Sequence, residues 1–204
     1  SYYSIIVNGL STKVFRTYLP SSFVTKYLRE HADIKSESDM KKLFHAKLAN
    51  LDAAIMCNHK RTIPKNFEAS LQKKRDTLKT TEKTKPWKAT EELLKKAESK
   101  IVKTEKLKEK QKERIKKIKT TIKNRKAKHI ERIEKLELQV SLSEKTRDYN
   151  LGTSLRNYID PRIFKTWTDD VGADWEKLYT SALQKKFLWV KDINSKWNEI
   201  SKEY

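Results

Sequence analysis

The sequence is poor in residues that cross-link a chain or interrupt its helices. Its 204 residues contain one cysteine, three glycines and four prolines. The single cysteine, Cys57, rules out a disulfide within the chain and fits a reducing compartment. Hydrophobic residues make up only 36% of the chain, below the usual level of about 45–50%. We therefore do not expect one compact core to include the whole chain.

Long apolar runs are absent as well. No stretch of about 18 apolar residues occurs, so the sequence predicts no membrane span. Residues 1–7 lack the basic flank and the cleavage pattern of a signal peptide. Because Ser1 is not methionine and an apolar segment begins at once, we expect a fragment whose upstream part is missing.

Positive charge is what the chain has in excess. The formal net charge is +20 and the isoelectric point is near 9.8. A field of this size indicates a polyanionic partner, and nucleic acid is the leading candidate. An anionic membrane surface is the competing interpretation.

Most of this charge lies in the middle of the chain. Residues 73–148 contain 27 Lys and Arg against 13 Asp and Glu, a net +14, with no glycine and one proline. Their sparse apolar residues form a narrow seam, which is typical of a coiled coil. A hairpin would bury this seam, so we predict arms over residues 66–104 and 112–148. The turn is predicted near residues 104–112, and the prediction around Pro86 is either a kink in the first arm or a break after Thr84.

The flanking regions have globular composition. Apolar residues at helical spacing between residues 43 and 56 predict an amphipathic helix that ends near Cys57. Beyond residue 151 the chain is rich in aromatic residues, and a helix is predicted from Asp174 to Phe187. The predicted fold class is all-α, with domains at residues 1–66, 67–148 and 149–204.

Residues 151–162 form the most informative run. Gly152 and Pro161 are its local breakers, and the segment between them predicts one or two helical turns. Thr153 or Ser154 is the expected N-cap.

The same run contains a candidate nucleophile and two cations. Arg156 and Arg162 flank a predicted helix start, where free N–H groups favour a bound phosphate. The hydroxyl of Tyr158 can act as a covalent nucleophile if neighbouring groups help it ionise. Composition alone favours an ordinary half-buried aromatic at this position. Cys57 and His59 lack the second ligand pair of a zinc site, so no metal is expected.

This run resembles the tyrosine segment of eukaryotic DNA topoisomerase I, the type IB class. The family also has a basic antiparallel coiled-coil linker, which corresponds to the middle of this chain. Further blocks resemble the family in the same order, so that the resemblance covers essentially the whole chain: residues 9–18 resemble the end of its catalytic core, residues 53–61 its histidine block, and residues 176–179 and 186–189 its C-terminal domain.

The resemblance implies roles for particular residues. Tyr158 matches the nucleophile of the family. His59 matches the histidine that hydrogen-bonds a non-bridging oxygen of the scissile phosphate. Lys60 and Arg61, beside His59, would otherwise be interpreted as a solvated basic patch. The residues expected to contact DNA are Asn157, Thr153, Ser154, Arg156, Lys60 and Arg61.

Two departures from the family pattern qualify these roles. Leu155 stands where the family usually has lysine, and Arg156 stands where it is apolar, so a phosphate contact is expected to have moved or been lost. The other catalytic residues of the family, two arginines and a lysine, are expected to lie upstream of this chain. Lys13 and Arg16 belong to a matching block but receive no chemical role.

The resemblance implies a transesterification on duplex DNA. Tyr158 would cut one strand through a 3′-phosphotyrosine link, supercoils would relax, and the strand would be religated. The implied partners are duplex DNA and the missing upstream core, with no membrane and no cofactor such as ATP or a metal ion. The implied location is the nucleus, and the isolated chain is expected to be inactive.

Two alternatives remain open from the sequence. A tyrosine recombinase shares this chemistry, but a long basic hairpin between its histidine and tyrosine is not expected. A non-catalytic coiled-coil protein that binds nucleic acid would explain the charge and the seam, but not the order of the motifs.

Overall fold

The computed structural model describes residues 11–101 and 103–204. This part of the chain contains α-helices and short 3-10 helices and no strand, which confirms the all-α prediction. The apolar segment at residues 1–7 and the start of the block at residues 9–18 lie outside the described residues. The α-helices are α1 (Thr12–Glu30), α2 (Asp39–Met56), α3 (Phe67–Lys83), α4 (Lys88–Ser99), α5 (Glu105–Lys145), α6 (Leu151–Asn157), α7 (Pro161–Val171), α8 (Ser181–Lys186) and α9 (Trp197–Ile200).

The chain divides into two compact units. The first contains Ser1–Phe67 together with Ser141–Tyr204, and the second contains Glu68–Val140. The first unit thus includes segments from both sides of the basic region. The predicted domain boundaries at residues 66 and 148 stay a prediction.

Helix α7 supplies the centre of the core of the first unit. Ile163, Phe164 and Trp167 are almost completely buried, and they pack in one cluster with apolar residues of α1 and α2. Pro161 occupies the first turn of α7, where its missing N–H is not needed. The helix ends at Gly172, whose φ of 70° is the left-handed conformation that glycine adopts without a steric cost.

The predicted amphipathic helix is present as α2, and its predicted end near Cys57 is confirmed. Ser38 caps its N-terminus by accepting a hydrogen bond from the backbone N–H of Lys41 at 3.4 Å. The buried face of α2 carries small residues, chiefly Ala46, Ala49 and Ala53, which allow neighbouring helices to approach closely.

The predicted N-cap of α6 is wrong. The cap is Asn150, whose side-chain oxygen accepts the backbone N–H of Gly152 at 3.0 Å. Thr153 and Ser154 lie inside the helix instead. Asn150 is favoured because its backbone is extended by pairing with residue 59, which leaves its amide side chain free to face the first turn.

The helix predicted from Asp174 to Phe187 is interrupted, so that prediction is also wrong. A 3-10 helix covers Trp175–Leu178, and the backbone is extended at Tyr179 before α8 begins. The ring of Tyr179 packs edge-on against Trp175 and Phe187, at centroid distances of 5.4 and 5.6 Å. Burial of this aromatic group outweighs the few hydrogen bonds that a continuous helix would add.

Within the second unit, α4 and α5 pack side by side. Glu91 pairs with Lys126 at 2.8 Å, and Glu98 pairs with Lys119 at 3.0 Å. The partners run in opposite directions along the two helices, as antiparallel packing requires. Of the two outcomes predicted around Pro86, the structure has the break and not the kink, since α3 ends at Lys83 and α4 begins at Lys88. A coiled-coil hairpin over all of residues 67–148 stays a prediction.

The turn predicted near residues 104–112 is wrong, because α5 is already helical from Glu105. The interruption lies just before it, between Ser99 and Glu105. Thr104 is a favourable residue at a helix start, and its carbonyl accepts the backbone N–H groups of Leu107 and Lys108. Gln111 donates to the carbonyls of Ala97 and Lys100, which satisfies groups that the end of α4 leaves unpaired.

Candidate active site

Tyr158 meets a histidine and an arginine that lie far from it in the sequence. Its ring centroid is 4.9 Å from that of His59, and the two ring planes are inclined by 36°. The guanidinium carbon of Arg16 lies 5.3 Å from the centroid of the Tyr158 ring. A phenol, an imidazole and a guanidinium therefore converge on one half-exposed spot.

His59 reaches this spot through a sharp turn at the end of α2. Asn58 adopts a left-handed backbone conformation, with φ of 54°. This conformation lets the backbone N–H of His59 fold back to the carbonyl of Ala54 at 2.8 Å. The turn stops the helix and directs the next residues away from its axis.

The segment after this turn pairs with the segment before α6. The backbone N–H of Asn150 donates to the carbonyl of His59 at 2.8 Å, and that of Arg61 donates to the carbonyl of Asp148 at 3.0 Å. Lys60 and Tyr149 form an isolated antiparallel bridge between these bonds. This pairing holds the backbone of His59 beside the start of the helix that carries Tyr158.

A buried hydrogen bond attaches α6 to α2. The hydroxyl of Ser154 donates to the side-chain oxygen of Asn50 at 2.7 Å, and the Asn50 amide donates to the carbonyl of Leu151 at 3.1 Å. Both side chains are buried, so losing either partner would leave the other as a buried polar group without a hydrogen-bond partner, which costs stability. Tyr158 lies at the C-terminal end of α6, where its backbone N–H donates to the carbonyl of Ser154.

Burial and charge both favour the neutral form of His59. Burial lowers the pKa of His59, and the positive charge of Arg16 lowers it further. The Nδ1 atom is buried and has no hydrogen-bond partner within the described part of the chain. A buried polar atom without a partner is costly, so the ring of His59 is held in this position at some cost in stability.

Cys57 is near these groups but shows no sign of reactivity. Burial raises the pKa of its thiol, although Arg16 opposes this effect. The thiol therefore stays protonated at neutral pH and is a weak nucleophile. Among the described residues, no group of three or more His, Cys, Asp and Glu side chains could hold a metal ion.

The residues predicted to contact DNA occupy different environments. Asn157, Arg156 and Lys60 are exposed, and Thr153 is half-buried. Ser154 is fully buried with its hydroxyl bonded to Asn50, so its predicted DNA contact has no support from its position.

Arg61 has partners within the chain. Its guanidinium donates to the carbonyls of Arg147 and Thr146, just beyond the end of α5, at 3.0 and 3.3 Å. A cation is favoured at the C-terminal end of a helix, so Arg61 has a structural role whether or not it also contacts DNA.

The departure from the family pattern at residues 155 and 156 has a simple structural consequence. Leu155 belongs to the hydrophobic core, while Arg156 next to it is exposed. Successive helical residues point in directions about 100° apart. A cation at position 155 would have faced the core cluster, whereas Arg156 faces solvent.

Sequence reasoning missed Arg16. Its block matched the family, but a single arginine on an exposed helix face carries no local signal of chemistry. A hydrogen bond of 3.0 Å from the backbone N–H of Asp160 to Ser21 of α1 helps hold this helix against the tyrosine segment. The contact between Arg16 and Tyr158 follows from this packing.

Comparison with known proteins agrees with this geometry. The profile of "Eukaryotic DNA topoisomerase I, catalytic core" matches residues 1–93, and that of "C-terminal topoisomerase domain" matches residues 130–199. DNA topoisomerase 1 of Rattus norvegicus is 33% identical over 196 residues, which cover 92% of this chain and 23% of that protein. The corresponding protein of Caenorhabditis elegans is 33% identical over 194 residues, covering 95% of this chain and 22% of that protein.

The sequence is thus that of a type IB topoisomerase segment, and it spans less than a quarter of the length of these curated relatives. The chain belongs to the eukaryotic DNA topoisomerase I family. This membership favours the topoisomerase interpretation over the recombinase and over the non-catalytic coiled coil. No helix in the described part of the chain is long and apolar enough to cross a membrane.

The turn at Asn58 provides a test of how His59 is placed. Left-handed backbone costs most residues about 1–2 kcal/mol, and β-branched residues tolerate it least. We expect Asn58→Val to lower the free energy of unfolding by about this amount, and Asn58→Gly to leave it nearly unchanged. Denaturant titration of both variants measures the difference. Equal stability of the two would show that the turn does not depend on the left-handed conformation.

Proposed function

We propose that this chain supplies the nucleophile and two supporting groups of a DNA-relaxing active site. The observation that carries the proposal is the convergence of Tyr158, His59 and Arg16. Each residue lies on a different segment, and several hydrogen bonds hold those segments together. A nucleophile beside a neutral hydrogen-bond donor and a permanent cation suits attack on a phosphodiester.

In the proposed reaction, the hydroxyl oxygen of Tyr158 attacks a backbone phosphorus of duplex DNA. A bond forms between this oxygen and phosphorus, and the bond to the 5′ oxygen breaks, so that a 5′-hydroxyl leaves with a proton. The phosphotyrosine link on the 3′ side conserves the bond energy. Relaxation of the nicked duplex is followed by the reverse attack, which restores the strand and the free tyrosine.

His59 and Arg16 have distinct parts in this reaction. The partly exposed imidazole of His59 supplies a hydrogen bond to a non-bridging phosphate oxygen, which becomes more negative in the transition state. The guanidinium of Arg16 favours negative charge both on the phosphate and on the attacking oxygen. Among the predicted DNA contacts, Asn157, Arg156, Lys60 and Thr153 lie where a bound strand can reach them, as their exposure allows.

The site needs a partner to be complete, namely the rest of the catalytic core. The chain matches less than a quarter of its relatives, and α1 shows an apolar face to solvent. A water-exposed patch of this kind marks an interaction surface. Duplex DNA in the nucleus is the proposed substrate, and the chain alone is proposed to be inactive. The exposed apolar residues are Val14, Tyr18, Leu19 and Phe23, with Ile55 of α2; they are 46–48% exposed.

The basic middle region is proposed to bind DNA without sequence preference. Its net charge of +14 over residues 73–148 acts on phosphates, and binding releases condensed counterions. Phosphate contacts hold a protein on the duplex but carry no sequence information.

The nucleophile assignment is tested by Tyr158→Phe, which removes the attacking oxygen and keeps the ring. Assayed with the remaining core in the presence of EDTA, the wild-type chain should relax a supercoiled plasmid, and the variant should not. The variant should also form no covalent complex with DNA. Tyr149→Phe removes a hydroxyl from a nearby residue and should stay active. Normal relaxation by Tyr158→Phe would refute the assignment.

Arg16→Ala and His59→Ala should each slow cleavage in a single turnover much more than they weaken DNA binding. Each group acts mainly on charge that develops in the transition state, and one such contact is worth about 10²–10³ in rate. Lys26→Ala is the matched control, since it removes one exposed cation from α1 at a distance from Tyr158. If Arg16→Ala cleaves DNA as fast as Lys26→Ala does, Arg16 has no part in the chemistry.

Replacing residues 68–140 with a short flexible loop should preserve cleavage, because Tyr158, His59 and Arg16 all lie in the other unit. DNA binding should weaken, and each lost phosphate contact should reduce the slope of log K against log salt by about 0.9. Changing the exposed Lys112, Lys116 and Lys123 to glutamine should reduce the slope, whereas changing them to arginine should not. An unchanged slope after the deletion would favour a protein partner for this charge.

A further inference from the structure

A network of hydrogen bonds and ion pairs centres on Asp160, two residues after the candidate nucleophile Tyr158. The carboxylate of Asp160 caps α7 by accepting the backbone N–H of Arg162 at 2.8 Å. The Nε of Arg162 donates to the same carboxylate at 2.8 Å, and the hydroxyl of Tyr204 donates to it at 2.8 Å. The Asp160 side chain is only 12% exposed, so these bonds are little weakened by water.

The residue before Tyr204 joins the same network. The guanidinium of Arg162 bridges Asp160 and Glu203, with Nη2 at 2.7 Å from an oxygen of each carboxylate. Residues 203 and 204 are thereby held against the start of α7 by two adjacent side chains. A planar guanidinium that bridges two carboxylates fixes its partners in orientation as well as in distance.

The network also reaches the helix that carries Arg16. The backbone N–H of Asp160 donates to the hydroxyl of Ser21 on α1, which is completely buried. The ring of Tyr204 packs against that of Tyr18, also on α1, with a centroid distance of 5.6 Å. Tyr204 therefore contacts both the segment after Tyr158 and the helix that places Arg16.

The network is close enough to Tyr158 along the chain to restrain the backbone of this residue. Tyr158 is followed by Ile159, whose side chain is buried in the core and whose N–H donates to the carbonyl of Ser154 at 3.2 Å. Because Asp160 is held in place as well, the backbone that follows Tyr158 has little conformational freedom. In-line attack is sensitive to such placement, because an error of about 1 Å can cost about 10² in rate.

We propose that Tyr204 is a positioning residue for Tyr158. Its hydroxyl acts through Asp160 to hold the backbone of Tyr158 in place beside Arg16. Tyr204 itself touches neither the phosphate nor the nucleophile. The inference rests on the proposed function, since it assigns Tyr204 to the same reaction.

Tyr204→Phe tests this inference with the loss of one oxygen atom. The ring stays against Tyr18, while the bond to Asp160 disappears. In the chain assayed with the remaining core, we expect the single-turnover cleavage rate to fall by about 3- to 10-fold at saturating DNA, well within the sensitivity of such reactions to placement. Affinity for DNA should not change. Religation should slow by the same factor, because both directions share one transition state, so the fraction of covalent complex at equilibrium should stay constant.

Tyr179→Phe is the matched control. Tyr179 is buried in the same unit as Tyr204, but its hydroxyl has no hydrogen-bond partner in the described structure. Deleting that hydroxyl is the same chemical change without loss of a bond, so the cleavage rate should stay at the wild-type value.

Rate and amplitude separate positioning from a merely structural role. If Tyr204 only stabilised the fold, Tyr204→Phe would reduce the fraction of active molecules and leave the rate constant of the others unchanged, and the inference would be overturned. A rate constant equal to that of Tyr179→Phe would overturn it as well.

A second measurement does not depend on catalysis. Exchange of the backbone amide hydrogens of Tyr158 and Ile159 should be faster in Tyr204→Phe than in Tyr179→Phe, because both amides rely on the geometry at Ser154. If the wild-type protein forms no covalent DNA complex, the proposed function fails, whereas the exchange comparison still shows whether Tyr204 holds this segment. Equal exchange in the two variants would refute the positioning role.

Discussion

The candidate site depends on the backbone pairing between residues 59–61 and residues 148–150. One segment precedes the basic region in the sequence and the other follows its last helix. Their pairing closes the intervening chain into a loop. His59 lies in the turn after α2, and Tyr158 is the first residue after α6, so the pairing brings the two side chains together. The entropic cost of closing such a loop rises only slowly with its length. A few hydrogen bonds supported by the buried contact between Asn50 and Ser154 can therefore hold a long insertion.

Charge is distributed unevenly between the two units. The unit of residues 68–140 has few buried side chains and many exposed lysines, and it contributes charge more than packing. The other unit contains the aromatic core around Trp167 together with the candidate site. Burial and the positive charge of Arg16 both lower the pKa of His59 and so favour its neutral form. Local arrangement, rather than total charge, therefore sets the electrostatics of the candidate site.

Local patterns predicted part of this structure well. The spacing of apolar residues located α2 and its end near Cys57, and Pro86 marked the break between α3 and α4. Elsewhere tertiary contacts outweighed local preference. Tyr179 interrupts a predicted helix because its ring is buried between two aromatic side chains, and Asn150 rather than Thr153 caps α6 because the pairing with residue 59 places it there.

The sequence by itself determined the all-α class, the basic insertion, the likeness to a family, and Tyr158 and His59 as candidates. The all-α class and the basic insertion depend on residue type and spacing along the chain, which are local properties, whereas Tyr158 and His59 became candidates through the resemblance to the family. Only the tertiary structure decided that Arg16 faces Tyr158, that Ser154 is buried against Asn50, and that Tyr204 reaches Asp160. Each of these contacts joins residues far apart in sequence. Such pairs form only when helices pack. The residue pattern of one segment does not show which residue of a distant segment it will contact.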